Sequence, residues 1–213
     1  MRIINKMRRF LQIKLVKSML IKQKTNSMNS TFLPIRFYGK SKTNIHRSAL
    51  IKIDKGVLSF NSSPSLKEPF YSWLEMYPNS KLIINGNFSF MAGAHVIIAQ
   101  NAKITIGSGY INRFCHIKCF SEINIGNNVA ISENVSIWDS DVHEVLREGS
   151  VMTKPINIGN HVWIGTNTII LKGVKIGDNS IIAAGSIVNR DIPENCLAAG
   201  NPAKVIKENI TWK

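Results

Sequence analysis

The amino-acid sequence predicts an all-β solenoid, in which short parallel strands wind into stacked triangular coils and one loop leaves the stack. Two observations carry this reading and a third locates the loop. The first is a run of six hexads, IGNHVW, IGTNTI, ILKGVK, IGDNSI, IAAGSI and VNRDIP, beginning at Ile158, Ile164, Ile170, Ile176, Ile182 and Val188. Their fifth positions, Val162, Thr168, Val174, Ser180, Ser186 and Ile192, are all small or β-branched. The second is an earlier block, IGNNVA, ISENVS and IWDSDV, starting at Ile125, Ile131 and Ile137, with a degenerate ITIGSG at 104–109 before it. A period of six fits neither an amphipathic helix nor a hairpin. Three hexads close one coil instead. Each supplies a short strand and a corner, with aliphatic residues pointing inward and coils stacked about 4.8 Å apart. The third observation is a break in register. The hexads should continue at 143 but resume at 158, so a loop of about 143–157, HEVLREGSVMTKPIN, leaves the prism.

In chain order, residues 1–24 come first. They hold eight basic groups (Arg2, Lys6, Arg8, Arg9, Lys14, Lys17, Lys22, Lys24) and no acid. At 100° per residue, Ile3, Ile4, Met7, Phe10, Leu11 and Leu15 share one helical face, with Arg2, Lys6, Arg9 and Lys17 opposite. This basic amphipathic helix has two readings: an anchor on an anionic membrane surface, or a terminal helix packed on its own subunit or a neighbour. Residues 25–103 are less regular. KIDKGVLSF and SKLIINGNFSF read as strands of irregular early coils, and SSPSLKEP at 62–69 as a loop. Residues 104–196 are the hexapeptide-repeat prism. Gly and Asn after its strands suit corners with unusual backbone angles. Residues 197–213 are a C-terminal tail.

Composition limits the function classes. The chain has 213 residues with 44% hydrophobic, enough for a core and too apolar for wholesale disorder. The net charge is +14, but the first 24 residues hold eight of those charges, leaving +6 for the body. Nucleic acid is not the expected partner, because aromatic and small polar readers are not interleaved with the charge. Three cysteines, Cys115, Cys119 and Cys196, give neither a disulfide framework nor a zinc spacing, and no metal is expected. No apolar run is long enough to cross a bilayer, and no secretory signal is recognisable. The expected location is therefore cytoplasmic, with the first 24 residues as the feature that would place it peripherally on the inner membrane face.

Candidate functional residues gather at the loop. His143 takes the place of an inward aliphatic, at the loop's mouth, with Asp141 and Glu144 close by. Histidine is the natural general base near neutral pH, and a neighbouring carboxylate or carbonyl could hold its tautomer. The bland alternative is a surface histidine in an acidic turn. Trp163 ends a hexad and so points outward, for a ligand to stack on or for a subunit contact to bury. Lys204 and Lys207 follow the last coil, either as a solvated tail or as a phosphate contact.

These residues carry a resemblance. The stretch from Tyr110 to Lys207 resembles the hexapeptide-repeat acyltransferases, in particular galactoside and maltose acetyltransferases and O-acetyltransferases of bacterial surface polysaccharides. The matching segments are YIN at 110–112, DVHEVLREG at 141–149, PINIGNHVWIGTN at 155–167 and AAGSIVNRDIPENCLAAGNPAKVIK at 183–207. The resemblance implies a left-handed parallel β-helix and a homotrimer with sites between neighbouring prisms. It also implies direct transfer from acetyl-CoA to a sugar or glycan acceptor. His143 matches the family's base. Asn112, Tyr110 and Asp141 fall on the acceptor side. Trp163, Gly165 and Thr166 match the pantetheine wall, continued by Ala184, Asn189 and Arg190. Lys204 and Lys207 match basic positions near the nucleotide phosphates. A backbone amide near Gly165–Thr166 is the expected oxyanion donor, and the cysteines are bystanders. The N-terminal cap of the small galactoside and maltose enzymes is not recognisable in residues 1–103, so their acceptor does not carry over. A basic terminus suits an enzyme that modifies a surface polysaccharide or its lipid-linked precursor. Two alternatives stand beside this reading: N-acetylation of an amino-sugar nucleotide, and a non-catalytic β-helix scaffold.

Overall fold

The computed structural model describes residues 17–19, 25–27, 33–63 and 68–213. Three parallel sheets form the sides of a prism. The first holds Thr25–Ser27, Leu50–Ile53, Lys81–Ile84, Lys103–Ile106, Glu122–Ile125, Ile156–Ile158 and Lys175–Ile176. The second runs through Ile35–Phe37, Leu58–Ser62, Phe88–Met91, Gly109–Ile111, Val129–Ile131, Trp163–Ile164, Ile181–Ile182 and Cys196–Ala199, and ends on Lys204–Glu208. The third holds Ser41–Ile45, Ser72–Met76, His95–Ile98, His116–Cys119, Ser136–Trp138, Ile169–Ile170 and Ile187–Val188. The chain visits the three sides in turn, so each backbone ladder is completed by the next coil.

The inward positions are those the hexads mark. Every hexad-opening residue from Ile158 to Val188 is at most 3% exposed, and so is every fifth residue from Val162 to Ile192. Ile164 pairs with Ile182 and Ile170 with Val188, 18 residues apart in each case. Towards the N-terminus the coils lengthen. Phe90 pairs with Ile111 and Leu82 with Ile104, at offsets of 21 and 22. The extra residues sit mostly at corners, with Asn61 bulged inside the Leu58–Ser62 ladder, and this hides the period in the sequence. The stretch 25–103, expected to be irregular, is thus built of strands joined by irregular corners, with one bulge at Asn61 (φ 58°) where the Leu58–Ser62 ladder shifts register, and the boundary expected at 104 falls inside Lys103–Ile106.

These wider coils are filled with larger side chains. Phe37, Phe60, Phe88 and Phe90 are fully buried. Phe60 meets Phe37 at 5.8 Å and Phe90 at 5.4 Å, in tilted arrangements that aromatic rings favour. Asn128, His161, Asn179 and Asn195 turn successive coils at one corner with φ of 53–60°, and their side chains link down the stack, Asn179 Nδ2 donating to Asn195 Oδ1 at 3.0 Å. Gly56 is required by a close approach: its φ is +81°, and a Cβ there would lie 2.3 Å from the Gly86 carbonyl carbon.

The basic helix expected over 1–24 lies outside the described residues except at 17–19. There Ser18 is buried and its Oγ accepts the Phe37 amide at 3.2 Å, while Lys17 Nζ donates to the Ser41 carbonyl at 2.7 Å. This short piece packs on the first coil. The C-terminal tail is also folded. Lys204–Glu208 turns back antiparallel on Cys196–Ala199, and the Trp212 indole N–H donates to the His161 carbonyl at 2.8 Å. Among the described residues no helix is long and apolar enough to cross a membrane.

The phenylalanine stack should dominate the stability of the N-terminal coils. Phe60→Ala should lower the unfolding free energy by about 3–5 kcal/mol in denaturant titration. Its outward neighbour Ser59→Ala should change it by less than about 0.5 kcal/mol.

Candidate active site

The expected loop does leave the prism, with shifted bounds. The ladder stops at Trp138 and resumes at Ile156, which pairs with Ile123, so 156 and 157 belong to the first sheet rather than to the loop. The loop is braced at its base. Ser140 and Thr153 form an antiparallel bridge, and the Asp141 amide donates to Met152 at 2.9 Å. Lys172, at the same corner one coil on, contacts the Asp141 carboxylate and donates to the Val151 carbonyl at 2.5 Å. Asp141 is therefore paired with Lys172.

Beneath this base lies a residue that sequence reasoning missed. Asp139 is fully buried, and its carboxylate accepts the amides of Phe120, Ser121 and Glu122 at 2.7, 2.8 and 2.8 Å. Its carbonyl accepts the Lys154 amide at 3.0 Å where the loop returns. Burial pushes the carboxyl above its ordinary value, and the three amides oppose that shift. Asp139 ties the foot of the loop to the coil below. Val142 then adopts a φ of 64°, unusual for a β-branched residue, with its amide donating to Ser140 Oγ at 2.9 Å. This turn presents His143, exposed, at the mouth of a groove of about 560 Å³. Trp138, Asp141 and Val142 line one part of it, and Tyr77, Ile97, Lys118 and Phe120 another.

The predicted donor wall lies elsewhere on the prism. Tyr110, Ala130, Trp163, Ile181, Leu197 and Lys207 stand in register on successive strands of the second sheet. Tyr110 and Trp163 are both 42% exposed, and Ala130 between them is small. Lys204 lies on the same terminal strand as Lys207. Trp212 adds to this wall unannounced by any motif, stacking on His161 at 4.2 Å and approaching Trp163 at 6.0 Å. Asn112, Thr166 and Ala184 sit at the edge where the second sheet gives way to the third. Asn189 and Arg190 sit at the other edge of the third sheet, two coils beyond the His143 loop. On one copy the predicted wall is therefore divided between two edges. Trp163, Thr166 and Ala184 stand apart from His143, Asn189 and Arg190 by a full side of the prism. One oxyanion candidate is also lost: the Gly165 amide donates to Ile182 at 2.8 Å as part of the ladder.

The cysteines are buried, and burial pushes the Cys115 thiol up to about 12. The Cys119 thiol is raised by burial and by Asp139. A thiolate nucleophile has no support here. Among the described residues no group of three or more His, Cys, Asp or Glu could hold a metal ion.

Residues 155–190 match the family described as bacterial transferase hexapeptide (six repeats). The chain is 53% identical over 117 residues to galactoside O-acetyltransferase of Escherichia coli strain K12, covering 53% of this chain and 58% of that one. The chain is thus similar to hexapeptide-repeat acyltransferases over its C-terminal coils. It is 38% identical over 144 residues to the polysialic acid O-acetyltransferase of Escherichia coli O1:K1 / APEC, covering 66% of this chain and 44% of the relative. The hexapeptide-repeat chain thus spans about half the length of these two curated relatives. The crystal structure of the polysialic acid O-acetyltransferase OatWY superposes with a TM-score of 0.51 at 26% identity, over 89% of this chain and 90% of that one. The prism is a left-handed parallel β-helix.

The Asp139 anchor gives a direct expectation. Asp139→Ala leaves three amides without their acceptor and should cost about 3 kcal/mol or more in denaturant titration. It should also speed proteolytic cutting within 142–152. Exposed Glu144→Ala should change neither.

Proposed function

We propose that this chain is an acetyl-CoA-dependent O-acetyltransferase that acylates a sugar hydroxyl of a surface polysaccharide or its lipid-linked precursor, with His143 as general base. The observation that carries the reading is the division of the site. One edge of the prism holds a histidine out on a braced loop beside a groove. A different side carries the outward file Tyr110–Trp163–Lys207. Prisms placed side by side in a closed three-fold assembly would set one copy's histidine against the next copy's file. The names of the two relatives, both O-acetyltransferases, support the chemistry.

In this reading the donor lies in the cleft between two prisms. The pantetheine arm runs past Trp163 and Thr166. Lys207 stands three strand spacings from Trp163, about 14 Å along the stack, and with Lys204 meets the phosphates. Asn112, Tyr110 and Asp141 face the acceptor. His143 takes the hydroxyl proton as the sugar oxygen attacks the thioester carbonyl. Negative charge develops on the carbonyl oxygen, where Thr166 is the remaining donor now that the Gly165 amide is committed to the ladder. The C–S bond then breaks, and the imidazolium returns its proton to the departing thiolate. The acetyl group passes directly to oxygen without a metal.

His143→Ala should lower kcat by roughly 10²–10⁴-fold with an unchanged fold by circular dichroism. Near-normal turnover with a good acceptor would remove the base assignment. Trp163→Ala should raise KM for acetyl-CoA more than it alters KM for the acceptor. Comparing a neutral oligosaccharide with an amino-sugar nucleotide as acceptors separates O- from N-acetylation. The cations of 1–24 extend the proposal to a peripheral contact with anionic membrane, read as salt-sensitive flotation with phosphatidylserine vesicles.

A further inference from the structure

The outer face of the third sheet carries two files of side chains that acetyl transfer does not use. In one, Lys42, Trp73, His95 and His116 stand in register on successive strands. In the other, Asn44, Glu75, Ile97, Lys118 and Trp138 do so. Trp73 stacks on His95 with centroids 5.3 Å apart, and His95 meets His116 edge-on at 5.8 Å. Lys118 Nζ lies 4.0 Å from the centre of the Trp138 ring. At the far end, Lys42 and Lys40 lie 5.0 and 5.2 Å over the Tyr71 ring. Trp73, Tyr71 and Tyr77 are all exposed, more aromatic surface than a solvated face needs.

The charge on this face is one-sided. In the two files Lys42 and Lys118 stand against Glu75 alone, Lys40 lies just before the first strand, and Glu75 already accepts from Asn44 Nδ2 at 3.1 Å. Burial, then neighbouring His116 and Lys118, hold His95 below its ordinary value. Burial and Lys118 do the same for His116. Both rings therefore stand near neutrality at pH 7, each with one donor and one acceptor. His95 Nε2 and Trp138 Nε1 are buried without a hydrogen-bond partner among the described residues. Lys42 and Lys118 are three strands apart and two residues apart along the strand, about 16 Å in all. The second file leads into the groove at His143 through Ile97, Lys118 and Trp138.

We propose that this face is the docking platform of an extended acidic glycan, whose reacting sugar reaches His143 through the groove. The inference rests on a saccharide acceptor, as proposed above, and adds its length and charge. Amphipathic rings offer apolar surface to sugar carbons, and their N–H and O–H groups bond hydroxyls. The lysines at each end supply point charges for carboxylates or phosphates. A subunit interface is the less fitting occupant, because interface cores are depleted in lysine.

The test is calorimetry on the full chain at low salt, without acetyl donor, using long-chain polysialic acid, its dimer and neutral dextran as probes. The long acid should bind at least about tenfold more tightly than either comparison. Lys42→Glu and Trp73→Ala should each weaken it about tenfold, with unchanged assembly mass by light scattering. Lys175→Glu, on the first sheet, should leave it unchanged. The proposal is overturned if dextran binds as well, if Lys175→Glu loses as much, if Lys42→Glu and Trp73→Ala bind like the parent, or if either variant lowers the assembly mass, which would mean that a second copy covers the face. No turnover is read, so failure here leaves acetyl transfer standing, and loss of the His143 assignment leaves this result unaffected.

Discussion

The interaction on which everything else depends is the parallel backbone ladder between successive coils. Each strand must return one coil later in the same register, because a slip of one residue would turn its inward aliphatics to solvent. Ile137, Ile170 and Val188 satisfy this condition on the third side, all fully buried and paired in sequence. Burying each such side chain contributes about 1.5–3 kcal/mol, so the sides of the prism tolerate little variation. The corners are free of that constraint. Ile137 and Ile170 are neighbours in the ladder although the whole 139–155 loop lies between them in the chain. Chemistry can be added at a corner without disturbing a strand.

That freedom explains the layout of the site. The loop bearing His143 is an insertion at one edge, held by Asp139 from below and by Lys172 from the side. The outward file on the second sheet obeys a different rule. Its side chains line up because the ladder stacks every second residue of each strand, so Tyr110, Trp163 and Lys207 fall in a row by register. A single triangular prism has no means of bringing an edge insertion onto a face it does not adjoin. In the proposed assembly, the division of function between two copies is a consequence of the cross-section of the coil.

How much of this was legible depends on where residues were added. From Ile158 to Val188 the coils contain no insertion, so the period of six stood in the open and both inward positions of every hexad could be named. Nearer the N-terminus the corners gain residues. Phe37, Phe60 and Phe90 occupy equivalent inward sites at offsets that no fixed period predicts. The position of His143 at the loop's mouth was legible because it replaced an aliphatic in register. Asp139 was not, since its burial depends on the loop folding back over it. Trp212 was not legible either, since it reaches His161 across 51 residues without a motif. The placement of the predicted cofactor wall on two edges of one copy also escaped the sequence. Ala184 and Asn189 are five residues apart in the chain, yet one side of the prism separates their corners.

The central claim is that His143 of one copy works with Trp163 of another, and subunit mixing tests it most directly. His143→Ala and Trp163→Ala chains would be co-expressed with different affinity tags, and the doubly tagged assemblies assayed at acetyl-CoA well below the parent KM. The account predicts that mixed assemblies recover a substantial fraction of parent activity, because some junctions then join an intact histidine to an intact tryptophan. Activity no greater than the average of the two variants alone would place both residues in one copy's site and contradict it.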